Sequence, residues 1–180
     1  MLMYTPYTIP LMTRSFPSEI PAFIEVSSGS RNKYEYNNKT GLMMLDRVLH
    51  SAVYYPYDYG FIPQTLCKDG DPLDVLVIGT SPLIPGCVAM IRPICYMVME
   101  DEKGQDEKVL AVLSQDPAYQ DVKTMNDISK HKLLEITQFF ETYKALEKDK
   151  WVRVGEWKDV DETNQLIVST HQHYLDNLSL

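Results

Sequence analysis

Short apolar runs divided by turn residues fill the first two-thirds of the chain, and a helical period takes over in the last third. Ala22–Val26 is apolar except for Glu25, Lys33–Tyr36 alternates, and Asn37-Asn38-Lys39-Thr40-Gly41 makes a turn into Leu42–Leu45. Val75–Ile78 is a continuous apolar run between Asp74 and Gly79 and reads as a strand. Val88–Met99 is long and apolar but interrupted by Arg92 and Pro93. Proline has no N–H for a ladder, so this stretch predicts a bent or edge strand. Asp101–Asp106 is a polar turn around Gly104, and Val109–Leu113 returns as a strand.

From residue 133 the period changes. Leu133, Ile136, Phe140 and Tyr143 recur at helical spacing, joined by Leu134, Phe139 and Leu146, which predicts a wide amphipathic stripe. Ser129 is placed to cap this helix, and Lys144 and Lys148 suit its C-terminal end. Trp151–Val154 reads as one more strand. Asp161–Tyr174 reads as a closing helix with Leu166, Ile167 and Val168 inside. His171 and His173, two apart, point about 200° from each other around a helix and read as surface residues. Strands first and helices last imply an α+β fold. The expected form is a small closed β-barrel, OB-like, with helices packed outside and a helical C-terminal part. No repeat or linker divides the chain, so residues 1–180 are expected to form a single domain.

Composition narrows the functional classes. Hydrophobic residues at 44% and charged residues at 23% suit a packed core and exclude a disordered chain. A formal net charge of −8 argues against a general nucleic-acid binder, which needs a basic face. It does not argue against a phosphate substrate, because carboxylates loaded with divalent metal become locally cationic. Cys67, Cys87 and Cys95 are odd in number and lack C-x-x-C spacing, so they are expected as buried free thiols in a reducing cytosol. Pro6 and Pro10 interrupt the uncharged N-terminal stretch, which also has no basic start, so no signal peptide is expected. No apolar run approaches the ~20 residues that span a bilayer. The expected location is cytoplasmic, with no membrane partner.

Chemistry concentrates in Asp69-Gly70-Asp71-Pro72-Leu73-Asp74. A Gly-Pro turn leading into the strand at Val75 can bend several carboxylates toward one point, and hard cations such as Mg²⁺ take oxygen ligands. Taken locally, the segment is equally a solvated acidic turn. An EF-hand loop fails on spacing, since its fifth and sixth positions would be Leu73 and Asp74. Glu25 also stands out, because a carboxylate in an apolar strand is costly without a partner.

The whole chain resembles the family I soluble inorganic pyrophosphatases. The cluster matches the family signature D-x-D-P-apolar-D-apolar over Asp69–Val75. Further matches follow in order: F-I-E-V at Phe23–Val26, K-Y-E-Y at Lys33–Tyr36, D-R-V at Asp46–Val48, Y-Y-P-Y-D-Y-G at Tyr54–Gly60, D-E-K-G-Q-D-E-K at Asp101–Lys108 and F-F-E-T-Y-K at Phe139–Lys144. The resemblance implies Asp69, Asp74 and Asp106 as metal ligands, with Asp101 completing the metal site, and Asp71 as general base. It implies Lys33, Arg47, Tyr59, Lys108, Tyr143 and Lys144 as phosphate-gripping residues, with Tyr55 beside them, and Glu25 and Glu35 as orienting carboxylates. The division suits pyrophosphate, a compact polyanion that needs Arg and Lys charge, phenol donors and metal. The implied reaction is Mg²⁺-dependent hydrolysis of pyrophosphate to two orthophosphates by in-line attack of an activated water, with several Mg²⁺ ions per site. A homo-oligomer, commonly a hexamer in short bacterial-type chains, is implied as well.

Each of these residues also has a plainer role. Tyr143 lies on the apolar stripe, Lys108 and Lys144 alone are ordinary surface lysines, Arg47 can pair with Asp46, and Tyr55 and Tyr59 have packing value. The chain departs from the family in one place, where Ser27 follows the glutamate-bearing strand instead of the common proline. Two alternatives stay open. One is a metal-dependent phosphohydrolase acting on nucleotides or polyphosphate, although no Gly-rich phosphate loop is present. The other is a non-enzymatic barrel that binds Ca²⁺ or oligonucleotides.

Overall fold

The computed structural model describes residues 5–178. Its strands are β1 (Ile20–Val26), β2 (Asn32–Asn37), β3 (Leu42–Val48), β4 (Asp58–Phe61), β5 (Asp74–Ile78), β6 (Val88–Asp101), β7 (Gly104–Gln105), β8 (Lys108–Leu113) and β9 (Val152–Lys158). Its α-helices are α1 (Lys130–Thr142) and α2 (Val160–Leu178). Pairings run β1–β4–β5–β8–β6, and β6 also pairs with β1, so the strands return on themselves as a barrel-like ring. β5 and β8 run parallel and the other pairs antiparallel. β2 and β3 form a separate hairpin whose turn ends at Gly41, at φ +71. That left-handed conformation carries no Cβ penalty in glycine.

The continuous apolar runs are explained by burial on both faces. Val75 and Val77 of β5, with Val109 and Ala111 of β8, pack with Ile167 of α2 in one core. Leu76 and Ile78, with Leu110 and Val112, pack with Ile136, Phe139 and Phe140 of α1 in the other. A period of two therefore divides each strand between two helices. β4 lies so close to β1 that a Cβ on Gly60 would sit 1.9 Å from the Phe23 carbonyl oxygen, which only glycine avoids.

Several expectations need correction. β6 is bent but not an edge: it pairs with β1, β8, β7 and β9. Pro93 is tolerated because it sits at a register shift opposite β8. On the other side it falls between the β1 pairing, which involves Val88–Ile91, and the β9 pairing, which begins at Tyr96. Arg92 turns outward and ties down the 119–122 segment through the carbonyls of Tyr119 and Val122. The α1 stripe is narrower than its periodicity implied, for Leu134 is 65% exposed. Leu146, 69% exposed, lies beyond the helix end. Val168 on α2 is likewise exposed.

His171 is buried, not on the surface, with Nδ1 at 2.7 Å from the Gln64 carbonyl, while His173 stays exposed. Of the cysteines only Cys95 is fully buried, and Cys67 and Cys87 are half-buried.

Ser129 caps α1 as expected, its hydroxyl accepting from the Lys132 amide at 3.3 Å. Ser129→Ala should lower stability by about 0.5–1 kcal/mol. That is a drop of roughly 1–4 °C in thermal unfolding followed by circular dichroism. No change at all would mean that water satisfies the helix start equally well.

Candidate active site

The acidic loop is fastened from behind before it presents any carboxylate. Leu73 is fully buried, its amide donating to Thr65 Oγ1 at 2.9 Å and its carbonyl accepting from Ile62 N–H. Gly70 takes φ +93, and the Cys67 amide closes the turn on the Asp71 carbonyl at 2.8 Å. Asp69, Asp71 and Asp74 are thereby brought to one side of a cleft of ≈ 260 Å³. The volume suits a small ligand, being just under the range for drug-sized ones. Each of the other residues named from the sequence also lines it: Glu25, Glu35, Lys33, Arg47, Tyr55, Tyr59, Asp101, Asp106, Lys108, Tyr143 and Lys144.

Charge organises the cleft. Lys108, at the start of β8, is 2% exposed and bonds Asp74 at 2.6 Å and, more closely, Asp106. Burial works against its charge, but the two carboxylates outweigh that and hold the ammonium above the usual lysine range. Burial pushes the Asp106 carboxyl up, as it does Asp69, where the neighbouring charges of Asp71 and Asp74 add to it. Asp74 also accepts from the Tyr59 hydroxyl at 2.5 Å. Burial alone would raise Asp101, yet the bonds from Lys144 at 2.6 Å and the Lys103 amide at 2.8 Å win and hold it low.

Tyr55, Tyr59 and Tyr143 are nearly inaccessible, and burial raises all three hydroxyls well above the ordinary phenol, so they remain donors at neutral pH. Their rings pack with Phe139 and Phe140 of α1, and that packing positions them. α1 ends at Thr142, which delivers Tyr143 and Lys144 to the cleft in succession. Tyr143 thus serves both core and cleft.

Glu25 has the partner its strand position demanded: it accepts from the Tyr36 amide at 2.7 Å, although burial still pushes its carboxyl up to about 8. Lys33 is paired closely with Glu35 and lies 3.7 Å from Asp46. Arg47 does pair with Asp46, at 2.7 Å, and reaches Glu147 at the same distance. Ser27 ties its loop down through a hydroxyl bond to the Leu83 carbonyl at 2.7 Å.

Sequence reasoning missed several lining residues. Glu102 pairs closely with Lys150, and Lys103 reaches Asp71 at 3.6 Å. Glu102 and Lys103 were signalled by the charged turn they share with Asp101. Tyr36 falls within the K-Y-E-Y segment but was given no role, and Tyr7 and Lys150 carried no local signal. Among the described residues the lining holds nine carboxylates against six cationic side chains. Such a surplus of hard oxygen donors suits a divalent cation of the Mg²⁺ or Mn²⁺ kind. Among the described residues no three acidic, histidine or cysteine side chains already converge as a coordination shell. The Lys108 ammonium instead occupies the space between Asp74 and Asp106. The donor set fits a divalent metal in kind, and Asp74 and Asp106 already hold a positive charge between them.

Comparison with known proteins shows which family the chain falls in. The family model described as inorganic pyrophosphatase matches residues 22–175. An inorganic pyrophosphatase of Nostoc sp. is 48% identical over 158 residues, covering 88% of this chain and 93% of that protein. One from Methanosarcina mazei is 45% identical over 157 residues, with 87% and 92% covered. The crystal structure of inorganic pyrophosphatase from Thermus thermophilus superposes with a TM-score of 0.92 at 43% identity, covering 95% of this chain and 99% of that one. With the fold in agreement and most of each chain aligned, this chain belongs to the inorganic pyrophosphatase family.

Proposed function

We propose that the cleft hydrolyses inorganic pyrophosphate to two orthophosphates with Mg²⁺ as its metal. Family membership carries the hydrolysis itself. The assignment of roles rests on one observation: a surplus of carboxylates, buried phenol donors and six cations line a single small cleft.

Asp69, Asp74, Asp106 and Asp101 would hold the metal, which when bound supplies positive charge to the phosphates and acidity to the attacking water. Asp71 is the general base. Its side chain is 65% exposed in the turn that presents it, open to the proton it removes. Lys33, Arg47, Lys108 and Lys144 neutralise phosphate oxygens, and Tyr59 and Tyr143 donate hydrogen bonds to them. Tyr55 backs Tyr59, its ring 5.2 Å away, and packs on Phe139, which in turn packs on Tyr143. Glu25 and Glu35 orient the cleft from β1 and β2, Glu35 by pairing Lys33. Lys108 and Lys144 rest paired with Asp74 and Asp101, so loading would exchange these pairs, the carboxylates turning to the metal and the ammonium groups to phosphate.

A homo-oligomer in the cytoplasm is part of the same proposal. No helix among the described residues is long and apolar enough to cross a membrane.

Phosphate release by the purified chain tests the reading. Pyrophosphate with Mg²⁺ should be hydrolysed, chelation by EDTA should abolish the activity, and ATP and tripolyphosphate should be poor substrates. Equal rates on ATP or tripolyphosphate would favour the broader phosphohydrolase instead.

A further inference from the structure

Residues 5–11 precede the span matched by the family model, yet Tyr7 lines the cleft. The segment is held by Gln64, whose φ of +50 lies in the left-handed region that a side-chain-bearing residue enters only at a cost. Every polar group of Gln64 is engaged. Its amide donates to the Tyr7 carbonyl at 3.0 Å, its Oε1 accepts from the Leu11 amide at 3.1 Å, and its Nε2 donates to the Thr8 carbonyl at 3.4 Å. Its carbonyl accepts from Nδ1 of the buried His171 at 2.7 Å, which ties the same residue to α2. Leu11 completes the anchorage by entering the core shared with Ile167.

The clasp delivers one side chain to the cleft. The Tyr7 ring stacks on Phe61 with centroids 4.9 Å apart and planes at 16°, and meets Tyr36 at 5.9 Å. Phe23 closes the cluster against both Phe61 and Tyr36. The Tyr7 hydroxyl donates to the Tyr36 carbonyl at 3.3 Å, and the Tyr36 amide donates to Glu25 at 2.7 Å. Residue 36 is therefore gripped on its carbonyl by Tyr7 while its amide orients the Glu25 carboxylate. Burial, with the charges of Glu25, Asp71 and Glu35 nearby, pushes the Tyr7 hydroxyl up to about 12, so it stays a donor at neutral pH.

We infer that Tyr7, clamped by Gln64, is a positioning residue for the pyrophosphate reaction, setting Tyr36 and through it Glu25 in the cleft. The inference rests on the proposed function and goes beyond it, to a segment outside the family match. Its mode of action is geometric: small displacements of a group in a preorganised site lower turnover without weakening substrate capture.

The test measures kcat and KM for pyrophosphate with Mg²⁺, together with thermal unfolding, for the parent and for Tyr7→Phe, Tyr7→Ala and Gln64→Ala. Tyr7→Ala should lower kcat by up to about 10²-fold. Tyr7→Phe, which keeps the ring, should recover part of that loss, and in both variants KM should stay within about twofold of the parent. Gln64→Ala should lower kcat in the same direction. A merely structural segment would lower the unfolding temperature and leave kcat of the folded enzyme intact, and that result overturns the inference. So does a change confined to KM, which would make Tyr7 a substrate contact. Where Tyr7→Ala fails to fold, Tyr7→Phe decides by whether its kcat falls at unchanged KM. An inactive parent would sink the functional reading and this inference with it, whereas an active parent with unaffected variants sinks the inference alone.

Discussion

Asp71→Asn should lower kcat for pyrophosphate by about 10²–10⁴-fold, the usual contribution of a positioned general base. Stability should barely move. The Asp71 side chain is 65% exposed and its ion pair with Lys103 is 3.6 Å long, a surface contact worth little. The turn itself is held by main-chain groups of residue 71, the amide donating to Asp69 at 3.1 Å and the carbonyl accepting from Cys67 at 2.8 Å. Asparagine preserves both of these and removes the proton acceptor together with its weak pairing to Lys103. A phosphate-release assay beside a thermal melt separates the two effects. Turnover at close to the parental rate would take the base assignment away from Asp71.

Lys108→Met should cost stability, beyond the phosphate contact proposed for that side chain. Lys108 is 2% exposed, and removing its ammonium leaves Asp74 and Asp106 facing each other unpaired. Breaking a buried ion pair from one side costs about 3–5 kcal/mol. The lower end applies because Asp74 and Asp106 keep 26% and 17% of their side-chain exposure. For a chain of this size ~3 kcal/mol corresponds to a fall of roughly 6–12 °C in the unfolding midpoint. Methionine fills the volume of the lysine stem, so the loss reports charge and not packing. Added Mg²⁺ should recover part of the deficit by offering positive charge to the same oxygens. A midpoint within about 2 °C of the parent would show that the two aspartates do not depend on the lysine.

Much of this site was legible in the sequence, and for a local reason. Asp69, Asp71 and Asp74 are close because a short Gly-Pro turn leaves the chain little choice, and Tyr143 and Lys144 arrive together because they follow a capped helix. Glu25 was conspicuous because an apolar strand tolerates no idle carboxylate, and it proved to hold the Tyr36 amide. The misreadings share the opposite cause. Leu134, Leu146 and Val168 fit the apolar pattern but are exposed, since periodicity says which residues share a face and not how far the neighbouring element covers it. His171 reads as a surface residue from spacing, but α2 packs it against the turn at Gln64. Pro93 demoted β6 to an edge on local grounds, whereas the change of partner from β1 to β9 leaves a place for it in the middle of the sheet.

The acidic cluster, the order of strands first and helices last and the family were determined by the sequence alone, because they depend on residue type, spacing and turn chemistry along a few consecutive positions. The tertiary structure decided the charge state of the site and its boundary. Only chain closure sets Lys108 between Asp74, 34 residues away, and Asp106, and only packing brings Tyr7 to residue 36. Burial and the approach of distant charges are properties of the packed molecule, and they determine which carboxylates hold their protons, which phenols donate and which lysines stay charged.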